Sequence, residues 1–121
     1  MHRLLVSGVA VLAVLLAGCS TGSSAELKKG WDFMLAADYP AARDHYEGML
    51  TEYPENPYVH LNLGVVYHQL GNLDLVRQHY EAAVTYGEDA AVSRVVEKGE
   101  VAPTVTTVAD KGRENLKLLG G

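Results

Sequence analysis

The chain has 121 residues, with 15 acidic and 10 basic side chains and a single cysteine, which indicates one small acidic domain. Its acidity argues against nucleic acid and anionic lipid headgroups as partners, because both select basic patches. With one cysteine, no intramolecular disulfide can form.

The N-terminal segment indicates an export signal that is separate from the domain. Arg3 supplies a positive charge, and residues 4–17 form an apolar run that is shorter than the roughly 20 residues of a membrane span. The run ends in Leu-Ala-Gly-Cys at Cys19. This segment resembles a bacterial lipoprotein signal with its lipobox, which implies that residues 1–18 are removed and that Cys19 is lipidated. An ordinary signal peptide, or an uncleaved anchor with an incidental buried cysteine, stays open as an alternative.

Residues 19–24 are predicted to be the lipidated cysteine and a flexible tether, because the residues after Cys19 are small and mostly polar. From Cys19 onward nine basic and fifteen acidic residues remain, a formal charge of −6. The covalent lipid, and not the protein surface, is therefore expected to hold the chain at a membrane. In Gram-negative relatives of such lipoproteins, a serine at the position of Ser20 favours the outer membrane, which implies a periplasm-facing protein.

The next part of the chain repeats itself. When residues 23–56 are aligned with residues 57–90, so that Leu27 falls on Leu61, seven positions are identical. Ordinary residue usage gives about two identities in such a window, and the offset matches the period of about 34 that is typical of helix–turn–helix repeats. The identical pairs are Leu27/Leu61, Gly30/Gly64, Arg43/Arg77, His45/His79, Tyr46/Tyr80, Glu47/Glu81 and Thr51/Thr85.

Apolar residues within each repeat recur at helical spacing, which predicts two amphipathic helices in residues 25–56 and two more in residues 57–89. Between these helices lie residues that start or end helices through side-chain caps and through proline or glycine geometry. They are Asp38, Pro40, Pro54, Asn56, Pro57, Gly71 and Asn72.

These paired helices resemble tetratricopeptide repeats (TPRs), which implies an all-α fold, a short right-handed solenoid of helical hairpins. The family places a small residue where the second helix crosses the first, and it alternates aromatic and small residues along the contact. Met49, Val76 and Glu88 depart from the family pattern. The repeat-packing residues that the resemblance implies are Gly30, Phe33, Ala42, Tyr46, Pro54, Gly64, Tyr67, Val76, Tyr80 and Ala83.

Residues 90–121 are predicted to form a degenerate third helical pair that caps the array, because helical repeats cannot bury their faces alone. Its first helix is expected around Val95, with a break at Gly99. Its second helix is weakened by Gly112. The alternative is a loosely ordered tail whose place is taken by a partner or a second copy. The apolar residues that suggest these two helices are Val92, Val95, Val96, Val108, Ala109, Leu116 and Leu119.

The motif Arg-x-His-Tyr-Glu occurs twice, over residues 43–47 and 77–81, and could indicate chemistry. Adjacent residues of a helix cannot share one face, so Tyr46 and Tyr80 are predicted on the packing stripe, with the histidines on the exposed side. Metal-binding, nucleophile and phosphate-loop motifs are not found in the sequence. The sequence therefore predicts no enzyme, no metal, and no cofactor beyond the lipid on Cys19.

In the family that the chain resembles, the first helices of the hairpins line a concave groove that binds a partner's peptide or helix. Trp31 is the only tryptophan, and tryptophan is enriched in interface hot spots. The alternative is that Trp31 fills space against the tether or a neighbouring repeat. The groove residues that the resemblance implies are Leu27, Trp31, Met34, Leu35, Tyr58, Leu61, Val65, His68 and Gln69.

The expected function is that of a lipid-anchored adapter that holds protein partners together in a bacterial envelope complex, such as a pilus, secretion or cell-wall machine. Two other functions stay open: a pilotin-like chaperone for an outer-membrane component, and a non-catalytic accessory subunit of an envelope enzyme. Membrane attachment is expected through the lipid alone. Nucleic acid is not expected as a partner, and a homo-oligomer stays open.

Overall fold

A computed structural model describes residues 23–92 and 106–120, and within them the fold is all-α. None of the helices in these residues is long and apolar enough to span a bilayer. Cys19 and the predicted lipobox lie outside the described residues. The helices are α1 over residues 23–35, α2 over Tyr39–Glu52, α3 over Pro57–Leu70, α4 over Leu73–Tyr86 and α5 over Val108–Leu118.

The ends of the helices follow the capping residues predicted from the sequence. The side chains of Asp38, Asn56 and Asn72 each accept a backbone N–H from the first turn of the next helix. Pro57 is the first residue of α3, where its missing N–H costs nothing. Gly71 ends α3 with φ of 81°, in the left-handed region that glycine adopts without strain. At the other boundary, α1 includes two residues that the sequence assigned to the tether.

Each hairpin closes at a glycine of its first helix. The Tyr46 ring of α2 lies against Gly30 of α1, and the Tyr80 ring of α4 lies against Gly64 of α3. A Cβ atom at either glycine would overlap the tyrosine ring. The predicted crossing glycines are therefore confirmed, because only the absence of a side chain lets the ring approach the helix so closely.

The core lies between α2, α3 and α4, and most of the repeat-packing residues lie in it. Phe33 is half-buried against this core, whereas Pro54 is exposed in the turn after α2, so the Pro54 ring takes no part in the packing. The fully or nearly fully buried members predicted from the sequence are Ala42, Tyr46, Tyr67, Val76, Tyr80 and Ala83.

The last helix predicted from the sequence is confirmed as α5, which packs on α4 and α3. Val108 and Ala109 are fully buried, and Thr107 and Asp110 form a capping box at its start. A backbone bond from Val108 N to Ala90 O (2.7 Å) fixes this start beside the end of α4. The short helix predicted around Val95 lies outside the described residues.

Helix α5 occupies the position that the first helix of a third repeat would take in the array. In the first repeat, Asn62 of α3 donates a hydrogen bond to the Tyr46 hydroxyl at 3.1 Å. The equivalent tyrosine of the second repeat, Tyr80, is hydrogen-bonded by Asn115 of α5. The same tyrosine–asparagine contact thus joins α2 to α3 and α4 to α5.

The outward face of α1 carries one alanine and two charged residues and is exposed, although the same face of α3 is apolar and buried. Val59, Leu63 and Val66 of α3 are fully buried in the core that includes residues of α2. The repeat alignment maps them onto Ala25, Lys29 and Asp32, which are all exposed. Repeat arrays need such polar faces where stacking stops, so α1 has the surface of a terminal helix.

Candidate functional site

An apolar stripe runs along one side of α1. Leu27, Trp31 and Leu35 are spaced at one helical turn and therefore lie above one another on one side of the helix. The repeat alignment maps them onto Leu61, Val65 and Gln69 of α3. Because the two hairpins have the same structure, these residues lie on the same side of the array, which is where the sequence predicted a groove.

The most exposed apolar residues of this side lie on α1. Trp31 is 48% exposed and Leu35 is 69% exposed, so Trp31 does not simply fill space among the described residues. On α3, Tyr58 is 37% exposed, and its hydroxyl donates to Ala91 O at 2.7 Å. This bond holds Tyr58 against the segment that follows α4.

The other predicted groove residues divide into two groups. Those that are partly buried and pack against the core are Leu27, Met34, Leu61 and Val65. Those that are exposed at the end of α3 are His68 and Gln69. Much of the apolar area of the stripe thus supports the fold, and Trp31 and Leu35 offer the largest area for a partner.

The charge beside the stripe is small. Lys28 forms an ion pair with Asp32 at 2.9 Å, between residues one turn apart on α1. Both side chains are mostly exposed, so this pair contributes little to stability. The stripe therefore offers aromatic and aliphatic contact without a cluster of cations that would select an acidic ligand.

The tetratricopeptide-repeat family model matches residues 33–98, which is more than half of the chain. The chain belongs to the tetratricopeptide-repeat family. Comparison with curated proteins and with solved structures gave no match. Membership identifies a protein–protein interaction module, and such modules are typically non-catalytic.

A second cluster lies between the two TPRs, and here one expectation from the sequence was wrong. The histidines of the repeated motif were predicted on the exposed side, but His79 is only 5% exposed, and it lies beside His60 of α3, which is 8% exposed. His45, the equivalent of His79 in the first TPR, also has most of its side chain covered. The reason is that these positions face the first helix of their own hairpin. The spacing of residues along one helix does not reveal which of its faces a neighbouring helix covers.

The two buried histidines bond to each other. Their Nδ1 atoms are 3.0 Å apart, and His60 Nε2 lies 2.8 Å from the carbonyl oxygen of Pro54. A carbonyl oxygen only accepts, so His60 carries its proton on Nε2, and a neutral His60 then accepts from His79 Nδ1. Three of the four ring nitrogens therefore have a partner when both rings are neutral.

The fourth ring nitrogen, His79 Nε2, faces Glu47 of the first TPR at 3.6 Å. The same carboxylate oxygen of Glu47 accepts from the Tyr67 hydroxyl at 2.6 Å. The Tyr67 and His79 rings stack 5.5 Å apart, and the His60 ring lies between His79 and Tyr86. The cluster thus joins α2, α3 and α4.

Burial shifts the pKa values of this cluster. The pKa of His79 is lowered, first because burial disfavours the charged ring and second because His60 lies beside it, while Glu47 acts in the opposite direction. Burial raises the pKa of Tyr67 to about 12, and its hydrogen bond to Glu47 adds to this shift. Burial thus favours the neutral form of His79, which faces the Glu47 carboxylate.

The cluster is not arranged as a metal centre. Among residues 23–92 and 106–120, no group of three or more His, Cys, Asp or Glu side chains could hold a metal ion. The nearest carboxylate, that of Glu47, faces His79 Nε2, whereas the two histidines meet through Nδ1. The repeat alignment contained a signal for the pairing of His60 with His79. It aligns His45 with His79 and Glu26 with His60, and Glu26 is the partner of His45 in the first repeat.

Proposed function

We propose that this protein is a lipid-anchored TPR adapter that binds a protein partner of a bacterial envelope complex through the stripe of α1 and α3. The observation that carries the proposal is the exposure of Trp31 and Leu35 on the first helix of a TPR array. Large aromatic and aliphatic side chains that stay exposed next to each other are typical of interaction sites.

The polar end of the array supports a partner on the stripe and not a stack of copies. Ala25, Lys29 and Asp32 cover the face of α1 on which a further repeat or a second copy would stack. A partner that binds by apolar contact is therefore directed to the neighbouring side, where Trp31 and Leu35 lie. An apolar helix or an extended apolar segment of an envelope protein fits this surface.

The lipid anchor is proposed from the lipobox resemblance at Cys19. The first described helix begins at residue 23, so three residues separate it from Cys19. At about 3.5 Å for each extended residue, the stripe would lie within a few nanometres of the membrane surface. A partner of a membrane-bound complex is within this reach.

Site-specific photo-crosslinking in native membranes tests the binding surface. A photoreactive residue in place of Leu35 is expected to capture one defined partner, and Trp31→Ala in the same chain is expected to reduce the yield at least tenfold. The matched control has the photoreactive residue in place of Leu73, which is 59% exposed but lies on α4. Equal capture from both positions would refute the stripe as the binding site.

Circular dichroism separates binding from folding in this test. Trp31→Ala removes an exposed side chain and is expected to leave the helical signal nearly intact. A large loss of helicity would instead assign Trp31 to the core and remove the groove hypothesis. The anchor is tested independently by metabolic labelling of the full chain with a fatty acid. Label is expected in the wild type and not in Cys19→Ala, and an unlabelled wild type would refute the anchor.

A further inference from the structure

We propose that the buried His60–His79 pair is a proton-sensitive joint between α3 and α4 of the second TPR, which weakens as the pH falls below about 6.5. The pair lies at the point where the second TPR contacts the first. His60 bonds to the carbonyl oxygen of Pro54, and His79 faces Glu47, so both histidines contact residues of the first repeat. The direct contact between the two rings joins α3 to α4 and holds both imidazoles where a charge is poorly solvated.

The geometry allows the pair to be neutral without an unpaired donor. His60 Nε2 donates to Pro54 O, and His79 Nδ1 donates to His60 Nδ1. Neutral His79 then has a bare Nε2 toward Glu47, which accepts from Tyr67 instead. Every buried proton of the cluster has an acceptor, and the rings carry no charge that would need solvent.

A proton taken from solvent disturbs this arrangement at His79. On His79 Nε2 it forms an ion pair with Glu47, but it also places a charged ring between His60 and Tyr67, where almost no water reaches. The bond from His79 Nδ1 to His60 Nδ1 is kept, so the cost comes from burying the charged ring. This cost weakens the packing of α4 on α3.

The direction of the effect on stability follows from the two states of the chain. The pKa of His79 is lowered in the folded protein by burial and by His60, whereas the unfolded chain keeps the ordinary value near 6.5. Between these two values the unfolded chain binds the proton and the folded chain does not. The contribution of neutral His79 to the stability of the fold is therefore fully present above about pH 6.5, and it is lost as the pH falls towards the pKa of His79 in the folded protein. For one proton, the folding constant decreases by at most tenfold per pH unit.

The surroundings of the pair contain one carboxylate that opposes the effect. Glu47 favours a charged His79, but burial and His60 together outweigh it. On α5, Arg113 pairs with Glu88 and Lys111 pairs with Glu114. The other titratable or charged groups near the pair are Arg43 and Asp44 of α2, Tyr67 of α3 and Tyr86 of α4.

Urea unfolding of the full chain, followed by circular dichroism between pH 5 and pH 8, measures the joint directly. The wild type is expected to lose stability below about pH 6.5, and His79→Gln is expected to remove most of this dependence. His45→Gln is the matched control, since His45 occupies the same place in the first TPR without a histidine partner, and it is expected to keep the loss. A flat wild-type profile, or an unchanged slope in His79→Gln, would overturn the proposal.

A second measurement does not depend on how well the variants fold. Titration of the imidazole C–H signals by NMR in the wild type is expected to give His79 a pKa below 6.5. In Glu47→Gln, which keeps an acceptor for Tyr67 but removes the charge, the His79 pKa is expected to fall further. A His79 pKa at or above the ordinary value, or a rise in Glu47→Gln, would overturn the proposal.

The consequence for binding rests on the proposed function. If the stripe of α1 and α3 binds the partner, crosslinking from Leu35 is expected to decrease at least threefold between pH 7.5 and pH 5.5, and His79→Gln is expected to remove this decrease. An unchanged yield at pH 5.5 would overturn proton control of binding. No capture at pH 7.5 would instead contradict the proposed function, while the urea and NMR results would still decide whether the joint exists.

Discussion

Gly64→Ala tests whether the Tyr80 ring closes the second hairpin as the structure shows. Gly64 lies within α3, and a Cβ atom there would overlap three atoms of the Tyr80 ring. In an exposed helix position the same substitution stabilises, because alanine is the better helix former by about 1 kcal/mol. The sign of the effect therefore reports on the contact and not on helix propensity.

The expected magnitude follows from the two opposing effects. Forcing a methyl group into a closed contact costs about 1–3 kcal/mol, and the upper end applies here because Tyr80 is only 3% exposed and Asn115 holds its hydroxyl. Subtracting the gain in helix propensity leaves a net destabilisation of about 2 kcal/mol. For a domain of this size the midpoint of thermal unfolding falls by roughly 10 °C.

Gly48→Ala is the matched control for this prediction. Gly48 also lies inside a helix, α2, but it is exposed and a Cβ atom there would meet nothing within 4 Å. Its replacement is expected to stabilise by about 1 kcal/mol. Thermal and urea unfolding of both variants, followed by circular dichroism, measure the difference. If Gly64→Ala stabilised the chain as much as Gly48→Ala does, the hairpin packing described above would be wrong.

Two further predictions concern the cap and the buried tyrosines. Val108→Ala removes two methyl groups from a fully buried position and is expected to lower the free energy of unfolding by about 2 kcal/mol; no change in urea unfolding would contradict the docking of α5. The pKa of Tyr46 is raised by burial to about 12, so its stabilisation is present below pH 10 and is lost as the pH rises from 10 to 12. Tyr46→Phe is expected to reduce this alkaline loss in urea unfolding, while the part that comes from Tyr67 remains, and an unchanged alkaline profile would contradict the burial of the Tyr46 hydroxyl.

Much of the fold was predictable because it depends on local chemistry and on repetition. Asp38, Asn56 and Asn72 cap helices through contacts with the next few residues, which a sequence contains in full. The crossing glycines, Gly30 and Gly64, were recognised because they occupy the same position of the two repeats. The stripe was predicted in the same way, although its role in binding stays a prediction.

The histidines show where reasoning from helix periodicity failed. The spacing correctly separated His79 from the face of Tyr80, but it could not show that α3 covers this second face as well. Whether a helix is buried on one side or on two depends on the helices around it, and α4 packs against both α3 and α5. The partner of His79 across the repeats, Glu47, is distant along the chain and belongs to a helix of the other repeat.

The sequence by itself determined the helices, their caps, the repeat and the crossing points, because each of these depends on neighbouring residues or on a fixed period. Only the tertiary structure decided which polar residues became buried and how they paired. His60 and His79 met because two helices of one hairpin brought them together, and Glu47 joined them because the first TPR stacks on the second. Such contacts arise from the three-dimensional arrangement of the helices, and the residue pattern along one helix does not predict that arrangement.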